Sequence, residues 1–263
     1  MKPFDADRFR AQSRETKPSL GRPLMYEPIT GSTNDNALSA ARAGAPHGSV
    51  FVADEQTAGR GRRGNTWLAA PGESLLFSVL LRPKLELSQA SALTLAVGLA
   101  LRDAIAPRVR GAAQIKWPND LYVNGKKLAG ILVESQLQGD RLQAVVVGIG
   151  LNVATRDFPP EIAARATSLA SLGADDFERE PLLQEILNAL ARRLDAYQQA
   201  GVAGIVAELN AADALCGERL RVDGQMGVGR GMDEQGRLLL EDSAGKLHAI
   251  VSGTVELMKL IDT

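Results

Sequence analysis

The sequence predicts an α+β protein in which a larger mixed α/β domain is followed by a small all-β domain. Stretches of strand length and helix length alternate through the first 212 residues. An Asn-Gly pair at 124–125 between two extended runs is typical of an antiparallel hairpin. From Asp213 onward, short strands are separated by glycine-containing turns about every ten residues. We therefore divide the chain into a lead-in (1–22), the larger domain (23–212) and a β domain (213–263).

The elements follow from periodicity and from helix-ending residues. The polar lead-in is expected to be loosely held, with a short helix over Asp5 to Gln12. The next helix is expected to be capped by Ser32 or Thr33 and to stop at Gly44. Strands of the larger domain are predicted over 24–29, 49–55, 74–82, 114–123, 126–135 and 144–153, and helices over 33–43, 88–106, 181–200 and 202–212. In the β domain, strands are predicted over 218–223, 237–242, 246–251 and 254–260.

Composition excludes several classes of protein. Thirty basic and thirty-one acidic residues give a net charge of -1, so no global field attracts the chain to nucleic acid or to an anionic membrane. The single cysteine, Cys216, excludes an internal disulfide and a cysteine-based zinc site. The chain has no apolar run of about 18 residues, and its first residues lack the apolar stretch of a signal peptide. We expect a cytoplasmic protein.

The loop AGRGRRG at 58–64 combines flexibility with positive charge. Glycines let a backbone adopt positive φ and approach a ligand closely, and arginines offer forked donors that match carboxylates and phosphates. The alternatives are a solvated surface turn or an RNA contact of the Arg-Gly type. The loop occurs once and is followed by Trp67, a side chain suited to covering a ligand or to packing in the core. These two features favour an anion site.

Two further stretches carry polar groups at strand ends. In KWPNDLY (116–122), Lys116, Asn119 and Asp120 bracket a Trp-Pro pair that fixes an extended corner. Asp120 could hold magnesium or a proton, and Asn119 could orient a phosphate or hydroxyl; an Asx turn is the alternative. In GKKLAGILVE (125–134), Lys127 enters an apolar strand and therefore needs an anion, whereas Lys126 is expected to be solvated.

The stretch VGIGLNV (147–153) is a strand with glycines rather than a dinucleotide loop, because the third glycine and the following helix are missing. Glycines within a strand indicate close approach of another group, and Asn152 gives the strand a polar end. His47 and His248 are far apart and form no HExxH motif, and no GxxxxGK[ST] loop occurs. Together the cations and polar groups suit an enzyme that activates an anionic substrate with a nucleotide.

Five motifs in register resemble the biotin protein ligases from about residue 23 to the C-terminus: GSTND (31–35), AGRGRRG (58–64), KWPNDLY (116–122), GKKLAGILVE (125–134) and VGIGLNV (147–153). The resemblance implies a mixed α/β catalytic domain of the biotin/lipoate ligase type followed by a small SH3-like β barrel. It implies ATP and Mg²⁺ as cofactors, biotin as substrate, biotinyl-5'-AMP as intermediate, and a carrier lysine, usually of acetyl-CoA carboxylase, as acceptor.

The resemblance also implies roles for individual residues. Lys127, Arg62 and Asp120 would be catalytic, and Asp120 would be the magnesium ligand. The biotin site would consist of Ser32, Thr33, Asn34, Gln56, Gly59, Arg60, Gly61, Arg62, Lys127, Gly130, Gly148 and Gly150. The nucleotide site would consist of Arg60, Arg62, Arg63, Trp67, Lys116, Asn119 and Asn152.

The sequence departs from the family pattern at three places. Asn65 and Thr66 precede the tryptophan where the family more often has a further arginine, so loop closure is expected to be weaker. Gly31 replaces an acidic residue. The chain begins too late to contain the helix-turn-helix domain of bifunctional members, so we expect no specific DNA binding, and we expect a monomer or weak homodimer. The alternatives are a lipoate or octanoyl ligase of the same fold and a nucleic-acid-binding module.

Overall fold

The computed structural model describes residues 2–16, 19–174 and 178–258. Its helices are α1 (Ala6–Thr16), α2 (Thr33–Arg42), α3 (Leu87–Ile105), α4 (Pro160–Ala163), α5 (Arg179–Ala200) and α6 (Val206–Ala211). Its strands are β1 (Leu24–Thr30), β2 (Val50–Gln56), β3 (Ser74–Leu81), β4 (Ala113–Lys116), β5 (Asp120–Val123), β6 (Lys126–Gln138), β7 (Arg141–Asn152), β8 (Arg219–Val222), β9 (Gln225–Met232), β10 (Leu238–Glu241), β11 (Leu247–Ile250) and β12 (Val255–Leu257). The α+β class predicted from the sequence is confirmed.

A seven-stranded sheet in the order β1-β2-β3-β7-β6-β5-β4 forms the centre of the larger domain. All its neighbours are antiparallel except β1 and β2, which are parallel. Side chains alternate between the two faces of a strand. On β3, Leu75, Phe77 and Val79 belong to the main core, whereas Leu80 belongs to a smaller cluster on the opposite face. The two faces therefore pack against different elements.

The main-core face is covered by α3 and α5, which pack on each other. The stretch Gln89–Arg108, which contains most of α3, is long and apolar enough to cross a membrane by length and composition alone, with a mean hydropathy of 1.3. However, 61% of that stretch is buried inside the protein. Core packing thus accounts for its apolar character.

The opposite face of the sheet is only partly covered. Helix α2 packs on it through Ala37 and Ala41, against Phe51, Leu80 and Val146. Beyond α2, the same face carries Gly130 and Gly150, and no helix covers these positions in the described chain. The cleft described below lies on this part of the sheet.

The region 113–135 contains two hairpins, whereas the sequence predicted one. The predicted turn at Asn124 and Gly125 is confirmed: their φ angles are 50° and 73°, which places both in the left-handed region. The predicted continuous strand over 114–123 is wrong, because Trp117 and Pro118 turn the chain and β4 pairs antiparallel with β5. Lys116 and Asp120 consequently lie opposite each other across this hairpin.

The lead-in is packed, and the expectation of a loosely held segment is wrong. Phe4 and Phe9 are buried in the main core, and the backbone N–H of Phe4 donates to Asp54 at 3.2 Å. Asp54 also pairs with the buried Arg179 at 2.7 Å, and Arg179 in turn donates to the carbonyl of Lys2 at 2.8 Å. Two aromatic side chains and one buried ion pair therefore hold the N-terminal segment against the sheet.

The C-terminal part forms a five-stranded antiparallel sheet in the order β11-β10-β9-β8-β12, consistent with an SH3-like domain. Four of its strands were predicted; β9 was missed because three of its eight residues are glycine, which is unfavourable in strands. The last part of the predicted strand 254–260 lies outside the described residues. Residues 181–200 and 202–212 were both predicted helical, and α6 begins only at Val206.

Asp213, at the junction of α6 and the C-terminal sheet, gives a prediction about stability. Its side chain is buried, its Oδ1 accepts the N–H of Leu215 at 2.9 Å, and its Oδ2 has no hydrogen-bond partner among the described residues. Burial raises the pKa of Asp213 to about 6. The unfolded-state pKa of an aspartate is about 3.9, so the buried charge of Asp213 destabilises the folded protein. This destabilisation is fully present above pH 6 and disappears as the pH falls towards 4.

We expect Asp213→Asn to raise the free energy of unfolding at pH 7.5 by about 1 to 2 kcal/mol. The asparagine amide keeps the acceptor for Leu215 and removes the buried charge. The gain should shrink at pH 5 and vanish near pH 4, which urea denaturation at the three pH values would measure. Asp140→Asn, in the exposed β6–β7 turn, is the matched control. A loss of stability at pH 7.5 would contradict this account of Asp213.

Candidate active site

A single cleft brings together residues from all five motifs and from the C-terminal sheet. It lies on the uncovered face of the large sheet, between the start of α2, the arginine loop and the β4–β5 corner. Its lining consists of Ser32, Thr33, Asn34, Gln56, Arg60, Gly61, Arg62, Arg63, Asn65, Thr66, Trp67, Lys116, Trp117, Pro118, Asn119, Asp120, Lys127, Gly130, Ile131, Leu132, Gly148, Ile149, Gly150, Gly253, Thr254 and Val255.

The start of α2 forms the polar end of the cleft. Ser32 is the N-cap residue of the helix, as predicted, but its side chain makes no capping hydrogen bond. Oε1 of Gln56 instead accepts the backbone N–H of Thr33 at 2.7 Å and its hydroxyl at 3.0 Å. Ser78 on β3 lies 2.7 Å from the Thr33 hydroxyl and 2.6 Å from Oδ1 of Asn34. These buried partners fix the polar groups before any ligand binds.

Glycines make the floor of the cleft. Gly130 and Gly150 are paired across β6 and β7, and Asp120 and Lys116 continue the same cross-strand row. The indole of Trp67 lies on this floor, so a Cβ at Gly150 would be 2.4 Å from it and one at Gly130 would be 2.8 Å from it. One row further, Gly148 leaves room for the amide of Asn34, from which a Cβ would be 2.1 Å away. The strand glycines thus admit Trp67 and Asn34.

A β-bulge directs Lys127 into the cleft. Leu121 pairs with Ala129 but the next residue, Tyr122, pairs with Lys127, so β6 has one extra residue here. Regular alternation along β6 would place Lys127 and Gly130 on different faces of the sheet. The bulge brings the Lys127 side chain to the same face as Gly130. Its Nζ lies 2.7 Å from Oδ1 of Asp120 and 5.4 Å from the centre of the Trp67 ring. Lys126 is exposed, as expected.

The β4–β5 corner supplies the other end of the cleft. Lys116 donates to the carbonyl of Val255 at 3.0 Å, and burial lowers its pKa. The Asn119 side chain donates to the carbonyl of Ile131 at 3.0 Å, which ties the corner to β6. Burial likewise raises the pKa of Tyr122 to about 12, so this phenol stays neutral at physiological pH. Asp120 is the only carboxylate among the described lining residues.

The arginine loop is a small closed hairpin. The N–H of Gly61 donates to the carbonyl of Asn65 at 2.7 Å, and the N–H of Trp67 donates to that of Gly59 at 3.0 Å. Arg60 forms ion pairs with Asp35 at 2.6 Å and Glu134 at 3.0 Å. Asn65 therefore contributes its backbone to loop closure even though it brings no charge.

The remaining loop arginines differ in their partners. Arg63 donates to both oxygens of Asp223 at 2.7 and 2.8 Å and to Thr254 at 3.2 Å, which links the loop to the C-terminal sheet. This pairing lowers the pKa of Asp223 to about 2. Arg62 has no ion-pair partner within 4 Å in the described chain, and burial lowers its pKa. The whole guanidinium of Arg62 is therefore available to a ligand.

Most of the predicted site residues line this cleft, with two exceptions. Gly59 lies at the base of the loop, where a Cβ would be 2.8 Å from the carbonyl of Trp67. Asn152 is buried and donates to the carbonyl of Thr167 at 3.0 Å, outside the lining. A ligand contact of these two residues stays a prediction.

Sequence reasoning missed several residues of the site. Ser78 had a detectable signature, since it is a polar residue within an otherwise apolar buried strand. The C-terminal turn at 253–255 had none, because nothing local links it to Lys116 and Arg63. Asp35 and Glu134 belong to quoted motifs but had no assigned role.

The arrangement suits the joining of two anionic substrates. Lys127 pairs with Asp120, and Lys116 and Arg62 lie near enough to the same carboxylate to interact with its charge, above an aromatic and glycine floor. Cations in a partly buried cleft reduce the repulsion between two bound anions and stabilise charge on a transferring phosphoryl group.

The chain resembles known proteins along most of its length. The family model "Biotin/lipoate A/B protein ligase family" matches residues 26–152. A Bacillus subtilis protein named bifunctional ligase/repressor BirA is 36% identical over 90% of this chain and 75% of its own length. A Mycobacterium tuberculosis protein named biotin--[acetyl-CoA-carboxylase] ligase is 38% identical over 86% of this chain and 85% of its own length. The structure of an Aquifex aeolicus biotin protein ligase, in complex with biotin and ATP, has a TM-score of 0.78 at 31% identity, covering 91% of this chain and 100% of its own.

Fold and cleft together define a ligase of the biotin/lipoate class, in which a mixed sheet carries a cationic cleft. Two relatives that align over most of this chain and most of their own length are biotin ligases by name, which separates the biotin branch of this class from the lipoate branch. The chain belongs to the biotin protein ligase family.

Proposed function

We propose that this chain activates biotin with ATP and transfers the biotinyl group to one lysine of a biotin carboxyl carrier domain, as the names of its relatives imply for acetyl-CoA carboxylase. The observation that carries the proposal is the Lys127–Asp120 pair above the glycine floor, beside Arg62, which has no ion-pair partner among the described residues. In the first step a biotin carboxylate oxygen bonds to the α-phosphorus and the bond to pyrophosphate breaks. In the second step the lysine amine attacks the acyl carbon, AMP leaves and the amine loses a proton.

The cations have complementary roles in the first step. Lys127 lies on the floor, between the polar start of α2 and the β4–β5 corner, so it would contact both the carboxylate and the phosphate. Arg60 and Arg62 approach from the loop above. Two like charges near contact repel each other strongly in a partly buried site unless cations lie between them. The closed loop also protects a mixed anhydride from water.

Magnesium would enter as part of the MgATP substrate. A Mg²⁺ ion bound to phosphates needs only one or two protein carboxylates, and the cleft offers one, Asp120. The described residues contain no group of three or more His, Cys, Asp or Glu side chains that could hold a resident metal. The site therefore fits a phosphate-bound ion whose remaining ligands are substrate oxygens and water.

The nucleic-acid alternative has less support from the geometry. Arg60 and Arg63 are paired with carboxylates of the chain itself, so they present little free charge to a phosphate backbone. The lipoate alternative differs in the acyl group, which the polar start of α2 would discriminate. Ser32, Thr33 and Asn34 offer several hydrogen-bonding groups, which suit a ureido ring better than an alkyl chain.

The deciding experiment is to incubate the chain with MgATP and either biotin, lipoate or octanoate, and to measure pyrophosphate and the acyl-adenylate. We expect biotinyl-5'-AMP and stoichiometric pyrophosphate with biotin, and neither an acyl-adenylate nor pyrophosphate with lipoate or octanoate. Activation of lipoate or octanoate without biotin would overturn the proposal. Addition of a carrier domain should then consume the adenylate and release AMP.

Arg62→Ala tests the loop cation. A hydrogen bond to a charged group contributes about 1.5 to 3 kcal/mol, so we expect biotinyl-5'-AMP to dissociate about 10 to 150 times faster. Stopped-flow dissociation of the preformed adenylate would measure the rate. Arg42→Ala, at the exposed end of α2, is the matched control and should leave the rate unchanged. Equal rates in Arg62→Ala and the unmodified chain would exclude this contact.

A further inference from the structure

Glu134 connects the start of α2 to the arginine loop through a single carboxylate oxygen. Its Oε2 accepts a hydrogen bond from Nδ2 of Asn34 at 2.6 Å and one from Nη2 of Arg60 at 3.0 Å. Glu134 itself does not line the cleft, whereas both of its partners do. Any effect on a ligand must therefore pass through Asn34 or Arg60.

The Asn34 side of this link is rigid. Asn34 is buried, and its Oδ1 lies 2.6 Å from the hydroxyl of Ser78 while its Nδ2 contacts Glu134. On its third side the amide packs directly against the backbone of Gly148, where an added Cβ would lie 2.1 Å from Oδ1. The amide thus has one orientation, and it fixes the position of the Glu134 oxygen in turn.

The Arg60 side leaves donors for a ligand. Nη2 of Arg60 makes both ion pairs of this side chain, one with Asp35 and one with Glu134. A guanidinium has five N–H donors on three nitrogens, so Nε and Nη1 remain. Neither has a protein acceptor among the described residues. Glu134 therefore holds Arg60 by one nitrogen, with its other donors available beside the cleft.

We propose that Glu134 is a positioning residue that couples biotin binding at the start of α2 to closure of the arginine loop. This inference rests on the proposed function and concerns its regulation. A ligand that contacts both Asn34 and Arg60 completes a network already joined by Glu134, so it stabilises the closed loop. By linkage, the closed loop raises the affinity for the ligand to the same extent.

The test is Glu134→Gln, which keeps the size of the side chain and its acceptor for Asn34 but removes the charge that Arg60 contacts. We expect the KM for biotin and the dissociation rate of biotinyl-5'-AMP to rise roughly two- to fivefold. The kcat for pyrophosphate release at saturating biotin should change less than twofold or so, because the reacting groups are retained. Asp140→Asn, on the exposed turn of the same hairpin, should match the unmodified chain.

Two further measurements separate positioning from a general loss of structure. Trypsin cleaves after arginine, so the rate of cleavage at Arg62 and Arg63 reports on opening of the loop. In the absence of ligand, this cleavage should be faster in Glu134→Gln than in the unmodified chain. The melting temperature should be unchanged. In an Arg60→Ala background, Glu134→Gln should add nothing to the adenylate dissociation rate. Additive effects, or an unchanged cleavage rate, would overturn the inference. Failure of the unmodified chain to form biotinyl-5'-AMP would instead overturn the proposed function, and the cleavage test in the ligand-free protein would still decide the role of Glu134.

Discussion

Lys127→Ala is expected to abolish most adenylate formation while leaving the fold intact. Lys127 is the cation on the glycine floor, 2.7 Å from Asp120. Its removal leaves two bound anions and Asp120 close together in a partly buried cleft. Removing one preorganised electrostatic group from an active site reduces kcat by about 100- to 1,000-fold, and we expect a loss of that size in pyrophosphate release with saturating biotin and MgATP.

Lys126→Ala is the control for this prediction because it is the neighbouring lysine, has the same size and is exposed on the other side of the strand. It should retain full activity. Lys127→Arg keeps the charge but replaces a compact ammonium with a planar group, so we expect partial recovery. Normal pyrophosphate release by Lys127→Ala would show that Arg62 or Lys116 neutralises the anions without it.

Local chemistry was sufficient to predict the elements that surround the cleft. The Asn-Gly turn of the β5–β6 hairpin, the start of α2 at Thr33 and the loop at 58–64 are each determined by residues close in sequence. Turn and helix-start preferences act over a few residues, so one sequence reveals them. The same holds for α3, whose long apolar periodicity is explained by burial on both sides.

Non-local contacts were not predictable from one sequence. Arg63 and Asp223 are 160 residues apart, and nothing near either residue indicates the other. The orientation of Lys127 depends on a bulge that pleat alternation does not anticipate, so the sequence identified the residue but not how it reaches the cleft. The buried lead-in was missed because its charged residues outnumber Phe4 and Phe9, although burying two aromatic rings outweighs that pattern.

The ion pair between Arg63 and Asp223 joins the arginine loop of the larger domain to the C-terminal sheet. The sequence predicted a catalytic domain and a separate β domain, and the cleft takes residues from both. Gly253, Thr254 and Val255 line it, and Val255 accepts a hydrogen bond from Lys116. The C-terminal sheet is therefore part of the wall of the active-site cleft.

Asp120→Asn separates the two steps of the reaction. Asp120 is the only carboxylate among the described lining residues, so it is the candidate base for the acceptor lysine and the candidate contact for MgATP. An amine with a pKa near 10.4 is neutral in only about one molecule in a thousand at pH 7.4. A positioned base contributes about 100- to 10,000-fold, and asparagine cannot accept the proton. Mg²⁺, by contrast, keeps its phosphate and water ligands when one carboxylate is lost.

We therefore expect Asp120→Asn to slow transfer from supplied biotinyl-5'-AMP to a carrier domain by at least about 100-fold at pH 7.4. Pyrophosphate release from biotin and MgATP should fall by no more than about tenfold, which is about 1.4 kcal/mol. The transfer defect should shrink as the pH is raised from 7 to 9.5, because more of the acceptor amine is already neutral. Asp140→Asn, which is exposed and remote from the cleft, should show the same dependence of transfer rate on pH as the unmodified chain. The opposite pattern, with adenylation lost and transfer normal at every pH, would assign Asp120 to MgATP and leave deprotonation of the lysine to solvent.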